Sequence, residues 1–206
     1  MAAALGVMAW GSARAQDPVQ WWNAFTSAWE APGGAVEGKA EWRVFEGADV
    51  FFGSAEASWM LRAGKRLTWG PGYKHQEVRQ PGGPFLAERR YLLTGRASLG
   101  TPAGWKTGLR ALYEYRDREQ VPRSWRGRLR GDARLPLGRT PWELGVSNEV
   151  FFDSVGDHYA QNRVQIALSR RLRAGAGFSV YYLLRSDRRD RHWEETQVLG
   201  TIWSFD

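Results

Sequence analysis

Apolar and polar side chains alternate along most of the chain. In residues 105–118 the odd positions are mainly apolar, whereas the even positions are mainly charged. Residues 125–135 repeat this pattern, with charged side chains at every second position. A period of two places two chemistries on opposite faces of a β-strand, whereas a helix would mix them. The pattern therefore predicts strands.

The same alternation predicts eleven strands and no helix. The predicted strands are 19–30, 35–45, 51–63, 66–77, 85–99, 105–118, 125–135, 142–152, 159–170, 178–185 and 193–205. Because no linker separates them, we expect residues 16–206 to form a single all-β domain. Tight Gly- and Pro-containing turns alternate with longer polar segments near 46–50, 76–84, 117–124, 153–158 and 186–192. Short turns on one rim and long loops on the other are typical of transmembrane β-barrels.

The strand pattern also indicates that the apolar face of each strand points outward and the charged face inward. The predicted strands are long enough to cross a bilayer. Trp105, Trp125 and Trp142 open strands, as interfacial aromatic residues do. The apolar faces contain much Gly and Ala, which would pack poorly in a soluble core. These features favour an antiparallel transmembrane barrel, with short periplasmic turns and longer extracellular loops, over a secreted β-sandwich or lipocalin-like barrel. An even number, ten or twelve strands, is expected, because both termini should be periplasmic.

The first residues resemble an export signal. Residues 1–9 are apolar, and Ala13-Arg14-Ala15 has the small-x-small spacing of a signal-peptidase site. We expect residues 1–15 to be removed. The basic segment that normally begins such a signal is missing, so we expect the true start upstream. Export without Cys suits a Gram-negative envelope, and the sequence predicts a bacterial outer-membrane protein.

Composition fits this interpretation. The chain has 206 residues, 12 Trp, no Cys and a formal charge of +7. Its mean hydropathy is −0.52, which is the value expected when apolar residues on a lipid-facing surface are averaged with charged residues in a lumen. Without Cys there is no thiol nucleophile and no Cys-based metal site. Arg alternating with apolar residues in an exported chain does not favour nucleic acid as a partner. The expected partners are outer-membrane lipid and lipopolysaccharide.

The end of the chain predicts a further partner. Leu199, Thr201, Trp203 and Phe205 occupy alternate positions. A terminal aromatic strand of this kind resembles the signal read by the barrel assembly machinery, although the final Asp206 departs from it. We therefore expect that machinery to bind the chain during biogenesis.

Several short motifs occur in a recognisable order. They are Trp21-Trp22, Gly72-Tyr73, the Arg-rich segment 110–130, Asn148-Glu149-Val150-Phe151-Phe152 and Gln161-Asn162-Arg163. Together they resemble a bacterial outer-membrane β-barrel family catalogued only as a domain of unknown function. The resemblance covers most of residues 17–206. It implies an envelope location and a barrel fold, and it implies no activity.

A charged inward face would give the lumen its chemistry. The predicted lumen charge ladder comprises Arg96, Arg110, Glu114, Arg116, Arg126, Arg128, Arg130, Glu143, Glu149 and Arg163. Side chains on neighbouring strands lie close enough to pair across the sheet, and Glu114, Glu143 and Glu149 could pair with the Arg residues of 126–130. One interpretation is a structural ion-pair plug. The alternative is a small porin-like channel for carboxylate or phosphate solutes, because a basic lining concentrates anions.

A lipid-modifying or proteolytic enzyme is a third hypothesis. His75, His158 and His192 fall at predicted strand ends or in the longer loops, with Asp153, Ser154, Asp157, Ser186, Asp187 and Asp190 nearby. A catalytic base would have to contact its nucleophile, and no motif here matches a barrel enzyme. No two His residues have the spacing of metal ligands on one strand. We therefore predict no catalytic residue, no metal site and no cofactor.

Overall fold

Eleven long strands make up nearly all of the described protein. A computed structural model describes residues 19–45, 50–79, 83–155, 159–172, 175–189 and 192–205. The strands are β1 (Gln20–Ala31), β2 (Gly34–Val44), β3 (Val50–Arg62), β4 (Leu67–Arg79), β5 (Phe85–Gly100), β6 (Lys106–Arg118), β7 (Val121–Pro136), β8 (Trp142–Asp153), β9 (Tyr159–Arg171), β10 (Ala176–Arg189) and β11 (His192–Phe205). The one helical element in the described ranges is a 3₁₀ turn at Pro102–Gly104. Within those ranges, no helix is long and apolar enough to span a membrane. The predicted signal peptide lies outside the described residues.

The strands close into one barrel. Each strand pairs antiparallel with the next, and β1 pairs with β11 in parallel orientation. The prediction of an all-β barrel is confirmed, whereas the predictions of an even strand number and of antiparallel pairing throughout are wrong. An odd number can close because the last pair is parallel. Since eleven strands cross the barrel, Gln20 and Phe205 point to opposite rims, and the expectation that both ends share one rim fails as well.

The two rims have connections of similar length. One rim carries the connections 32–33, 63–66, 101–105, 137–141 and 172–175, and the other carries 45–49, 80–84, 119–120, 154–158 and 190–191. The predicted contrast between short turns and long loops is therefore wrong. Polar residues near 76–79, 117–124 and 186–189 continue the strands, because the backbone ladder extends past the apolar part of each strand. For the same reason Trp125 lies inside β7 and does not open it.

Apolar side chains face outward and polar side chains face inward, which is the reverse of the arrangement in soluble proteins. Every strand exposes large apolar side chains on the outer surface, with Trp29, Trp59 and Leu99 each about half exposed or more. The buried side chains inside the barrel are largely polar or charged, and they include Glu88, Glu114 and Glu149. The alternation of the sequence thus becomes an apolar exterior and a charged lumen. Glu195 shows that not every charged strand residue points inward, because it is exposed while the adjacent Thr196 shares the inward register of Val198.

Aromatic side chains form a row on the outer surface. Tyr73, Tyr91, Tyr115 and Trp125 are aligned by register on β4 to β7. Their ring centroids are separated by 5.6, 6.1 and 4.6 Å along the row. Contacts between aromatic rings at such distances stabilise cross-strand packing. The row therefore runs across four strands toward the rim that carries the 119–120 connection.

The β1–β11 seam has a different interior from the rest of the barrel. Trp22, Leu183 and Val198 form a buried apolar cluster there, with Tyr181 packed against it. A Cβ atom at Gly200 would overlap the Tyr181 ring and the Trp22 carbonyl oxygen, so this position requires glycine. The first and last strands therefore join at a small buried apolar cluster, beside charged lumen residues such as Arg43.

Candidate functional site in the barrel lumen

The register of the lumen residues places like charges opposite each other. Arg90 lies opposite Arg116, Arg110 opposite both Arg96 and Arg130, and Arg163 opposite Arg185. Directly opposed like charges destabilise a sheet unless each finds another partner. Here several ion pairs, such as Glu149–Arg128, form on the diagonal, between residues two positions apart in register, whereas Arg126 and Asp153 pair directly across the sheet. Diagonal neighbours lie within reach of long side chains, and tilted barrel strands favour such contacts.

Glu114 on β6 is the most deeply buried acid of this network. It is 1% exposed, and its two oxygens accept hydrogen bonds from Arg90 at 3.0 Å and Arg128 at 2.8 Å. Its direct register partner is Arg126, which instead binds Asp153 through two hydrogen bonds of 2.6 Å. One carboxylate thus joins strands β5, β6 and β7 inside the barrel.

Glu149 on β8 is a second junction. Its Oε1 accepts hydrogen bonds from Arg110 at 2.7 Å and from Arg128 at 2.9 and 3.1 Å. Arg110 is on β6, so this contact passes over the intervening β7. Glu149 thus pairs with Arg128, one of the Arg residues predicted as its partners, whereas Arg130, its direct neighbour in register, has no carboxylate within 4 Å among the described residues. The register places Glu149 and Arg130 side by side, but Arg128 occupies the carboxylate.

Glu88 on β5 completes the network toward β4. It accepts hydrogen bonds from Arg90 at 3.0 Å, Arg116 at 2.5 Å and the side-chain amide of Gln76 at 2.8 Å. Contacts therefore run without interruption from Gln76 through Glu88, Arg90, Glu114 and Arg128 to Glu149. This network, named here the lumen network, links strands β4 to β8.

The remaining predicted residues contact partners outside the lumen network. Arg96 forms two hydrogen bonds, of 2.5 and 2.7 Å, with Glu37, which lies three strands away on β2. Glu143 pairs with Lys106 at 3.2 Å, not with an Arg of β7. Arg163 lies on β9 between two aromatic rings. All ten predicted ladder residues thus belong to the lumen face, and their functional role stays a prediction.

Inward aromatic side chains were not expected in the lumen, and the acid Asp153 was not included in the predicted ladder. Arg163 lies 5.3 Å from the centroid of the Trp22 ring and 4.6 Å from that of Phe151. Arg43 lies 3.7 Å from the Trp22 centroid and 3.9 Å from that of Phe52. Cations over aromatic faces attract the ring quadrupole, more strongly where water is excluded. The signal was present in the sequence, since Phe151 and Asp153 share the phase of Glu149, but aromatic residues were assigned to the outer face.

The histidines do not assemble a site among the described residues. His75 lies close to the end of β4, on the outer surface, 3.7 Å from Glu77. His192 begins β11, while His158, Asp157 and Asp190 lie outside the described residues. No group of three or more potential metal ligands occurs in the described ranges. The expectation that the chain is not an enzyme stays a prediction.

The lumen network borders an internal cavity of about 410 Å³. Eleven Lys and Arg side chains and five Asp and Glu side chains of the described residues line it. The lining therefore carries an excess of positive charge, even though Glu114 lies beside it. Such a cavity can hold or attract anions by its electrostatic potential.

The comparisons with known proteins bear on the family and not on an activity. Residues 20–196 match the family described as "Protein of unknown function (DUF2490)". No curated protein matches the chain, and no solved structure does. The match includes all of β1 to β10, and the barrel fits the family resemblance seen in the sequence motifs, which is thereby confirmed. The chain belongs to this family of unknown function.

Proposed function

We propose that the protein is a bacterial outer-membrane β-barrel whose Arg- and Glu-rich lumen forms a side-chain plug. The observation that carries the plug is contact between strands that are not neighbours. Arg96 on β5 binds Glu37 on β2, and Arg163 on β9 lies over Trp22 on β1. Each of these contacts joins strands that are three apart, so it crosses part of the bore. The lumen network covers the inner face of β4 to β8. A lumen closed in this way stabilises a small barrel and blocks free passage of solutes.

Membrane insertion is supported by the outer surface. Large apolar side chains are exposed on all eleven strands, far more than a soluble monomer usually leaves in contiguous patches. The strands have 11 to 16 residues, enough to cross a hydrocarbon core. The exposed aromatic row on β4 to β7 fits a position at the lipid–water boundary.

Heat-modifiable gel migration tests insertion into a membrane-like environment. The protein, refolded in detergent micelles or lipid vesicles, should migrate faster unheated than after boiling, because a closed barrel resists unfolding by dodecyl sulfate. Vesicle flotation should show that the folded form stays with the lipid. A chain lacking residues 1–15 that is folded, monomeric and soluble without detergent would refute the outer-membrane proposal.

A planar-bilayer measurement tests the plug. The inserted protein should give no steady ion conductance, because side chains from strands three apart meet within the bore. Replacing both Glu37 and Arg96 by Ala removes one cross-bore contact without leaving an unpaired charge, so folding should survive and small conducting openings should occur. The matched control replaces Glu30 and Arg62, an exposed ion pair at a rim, and should stay closed. Stable anion-selective currents from the unaltered protein would overturn the plug.

A small anion-permeable channel is the second candidate, favoured by the positive excess of the cavity lining. In a pore the anion preference would depend on lumen Arg residues. Replacing Arg128 by Glu should then reverse or abolish selectivity, whereas in a plug it mainly destabilises the barrel by breaking the contacts with Glu114 and Glu149. Carboxylate and phosphate solutes would be the permeating class.

A further inference from the structure

Arginine side chains form a row across five neighbouring strands. Register places Arg110, Arg130, Glu149, Arg163 and Arg185 side by side on β6 to β10. All five belong to the inward face and line the cavity. Opposed residues lie about 4.5–5.5 Å apart at Cβ, so four guanidinium groups share the space around one carboxylate.

The carboxylate of Glu149 forms no ion pair with its two neighbours in register, Arg130 and Arg163. Glu149 binds Arg110 and Arg128 through Oε1. Among the described residues, neither Arg130 nor Arg163 has a carboxylate within 4 Å. The Nε atom of Arg163 is fully buried without a hydrogen-bond partner, and so is the Nε of Arg110. Buried donors and charges are normally paired, because leaving them unpaired is costly.

The surroundings of Arg163 increase the need for an anion. Its guanidinium is attracted by the carboxylate of Glu149 but repelled by three like charges, Arg128, Arg43 and Arg185. Its contacts with Trp22 and Phe151 use the faces of aromatic rings, which accept no strong hydrogen bond from the guanidinium edge. Arg carries five N–H donors, so its donors remain available in the cavity beside those of Arg130.

We propose that the cavity holds a small oxyanion, a phosphate or carboxylate group, between Arg130 and Arg163. Guanidinium groups bind such groups through paired N–H···O contacts, and two of them flanking one site match the charge of a phosphate. The Nε of Arg110 supplies a further donor on the same row. The cavity is large enough for a small anion. The site depends on neither membrane insertion nor conduction, so it goes beyond the proposed plug.

Anion-dependent stability tests the site. The refolded protein is placed in dodecyl maltoside, which lacks phosphate, in Tris chloride at constant ionic strength. Inorganic phosphate or succinate is then added, with sodium chloride as the reference. Binding to the folded state should raise the unfolding midpoint in a saturable way. If only phosphate raises the unfolding midpoint, the site binds phosphate groups. If only succinate raises it, the site binds carboxylate groups. Equal midpoints in phosphate, succinate and chloride would overturn the proposal.

Variants locate the site. R163Q and R130Q should each weaken phosphate or succinate binding at least tenfold by titration calorimetry, while the rim variant R62Q should bind like the unaltered protein. If R163Q does not fold into a heat-modifiable barrel, the anion affinity of R130Q by itself tests the site. Unchanged binding in the folded variants would place the anion elsewhere and refute the site. The bilayer measurement is independent, because an open pore would overturn the plug and leave this result standing.

Discussion

Replacing Glu114 by Gln should lower the free energy of unfolding by about 3–5 kcal/mol, the usual cost of removing one partner of a buried ion pair. Glu114 is 1% exposed and binds both Arg90 and Arg128. The amide keeps the shape of the side chain but removes its charge and one acceptor. Arg128 keeps Glu149, and Arg90 keeps Glu88, so the barrel should still fold while losing the β5–β6–β7 junction.

Reversible urea unfolding in detergent, followed by the fluorescence of the 12 Trp residues, measures this effect. The matched control is Glu30→Gln. Glu30 binds Arg62 at 2.9 Å, but its side chain is 79% exposed, so the loss should be at most about 1 kcal/mol. Equal effects of E114Q and E30Q would show that the lumen network adds little stability.

Replacing Gly70 by Ala should destabilise the barrel by about 3 kcal/mol, at the upper end of the usual cost of overpacking. A Cβ atom at Gly70 would overlap the backbone carbonyl of Trp59 on β3, so the strands would have to separate. The β3–β4 register pairs Ser58 with Gly72 and Leu61 with Trp69 but skips the residues between them. Pro71 lies in that gap and has no N–H to donate.

Gly95→Ala is the matched control. Gly95 lies on β5 opposite Trp69, and a Cβ atom there would meet nothing within 4 Å. Its replacement should change the free energy of unfolding by no more than about 0.5 kcal/mol, as most uncrowded surface substitutions do. The same urea titration compares both variants. If G70A and G95A unfolded at the same urea concentration, β3 and β4 could not approach each other as closely at Gly70 as described.

The candidate site was predictable only in part. The sequence identified the inward Arg and Glu residues, because alternation fixes which residues share a face. It offered the Arg residues of 126–130 as partners of Glu114, Glu143 and Glu149, but it did not decide which of them each Glu binds. Glu149 binds Arg128 and Arg110 although Arg130 lies opposite, and Glu143 binds Lys106. Partner choice depends on strand tilt and side-chain reach, which no single strand encodes. Phe151 was missed because its chemistry suggested the outer face, although its phase agreed with the lumen.

The sequence by itself determined where the strands lie and which residues share a face, and its strand lengths and aromatic positions indicated a charged interior under an apolar exterior. The shared faces follow from a local period of two, which requires nothing beyond the strand itself. The tertiary structure alone decided the parallel β1–β11 closure, the equal rims, the diagonal ion pairs and the unpaired Arg130 and Arg163. Closure and pairing depend on how eleven tilted strands meet around one bore, so residues far apart in the chain set them together.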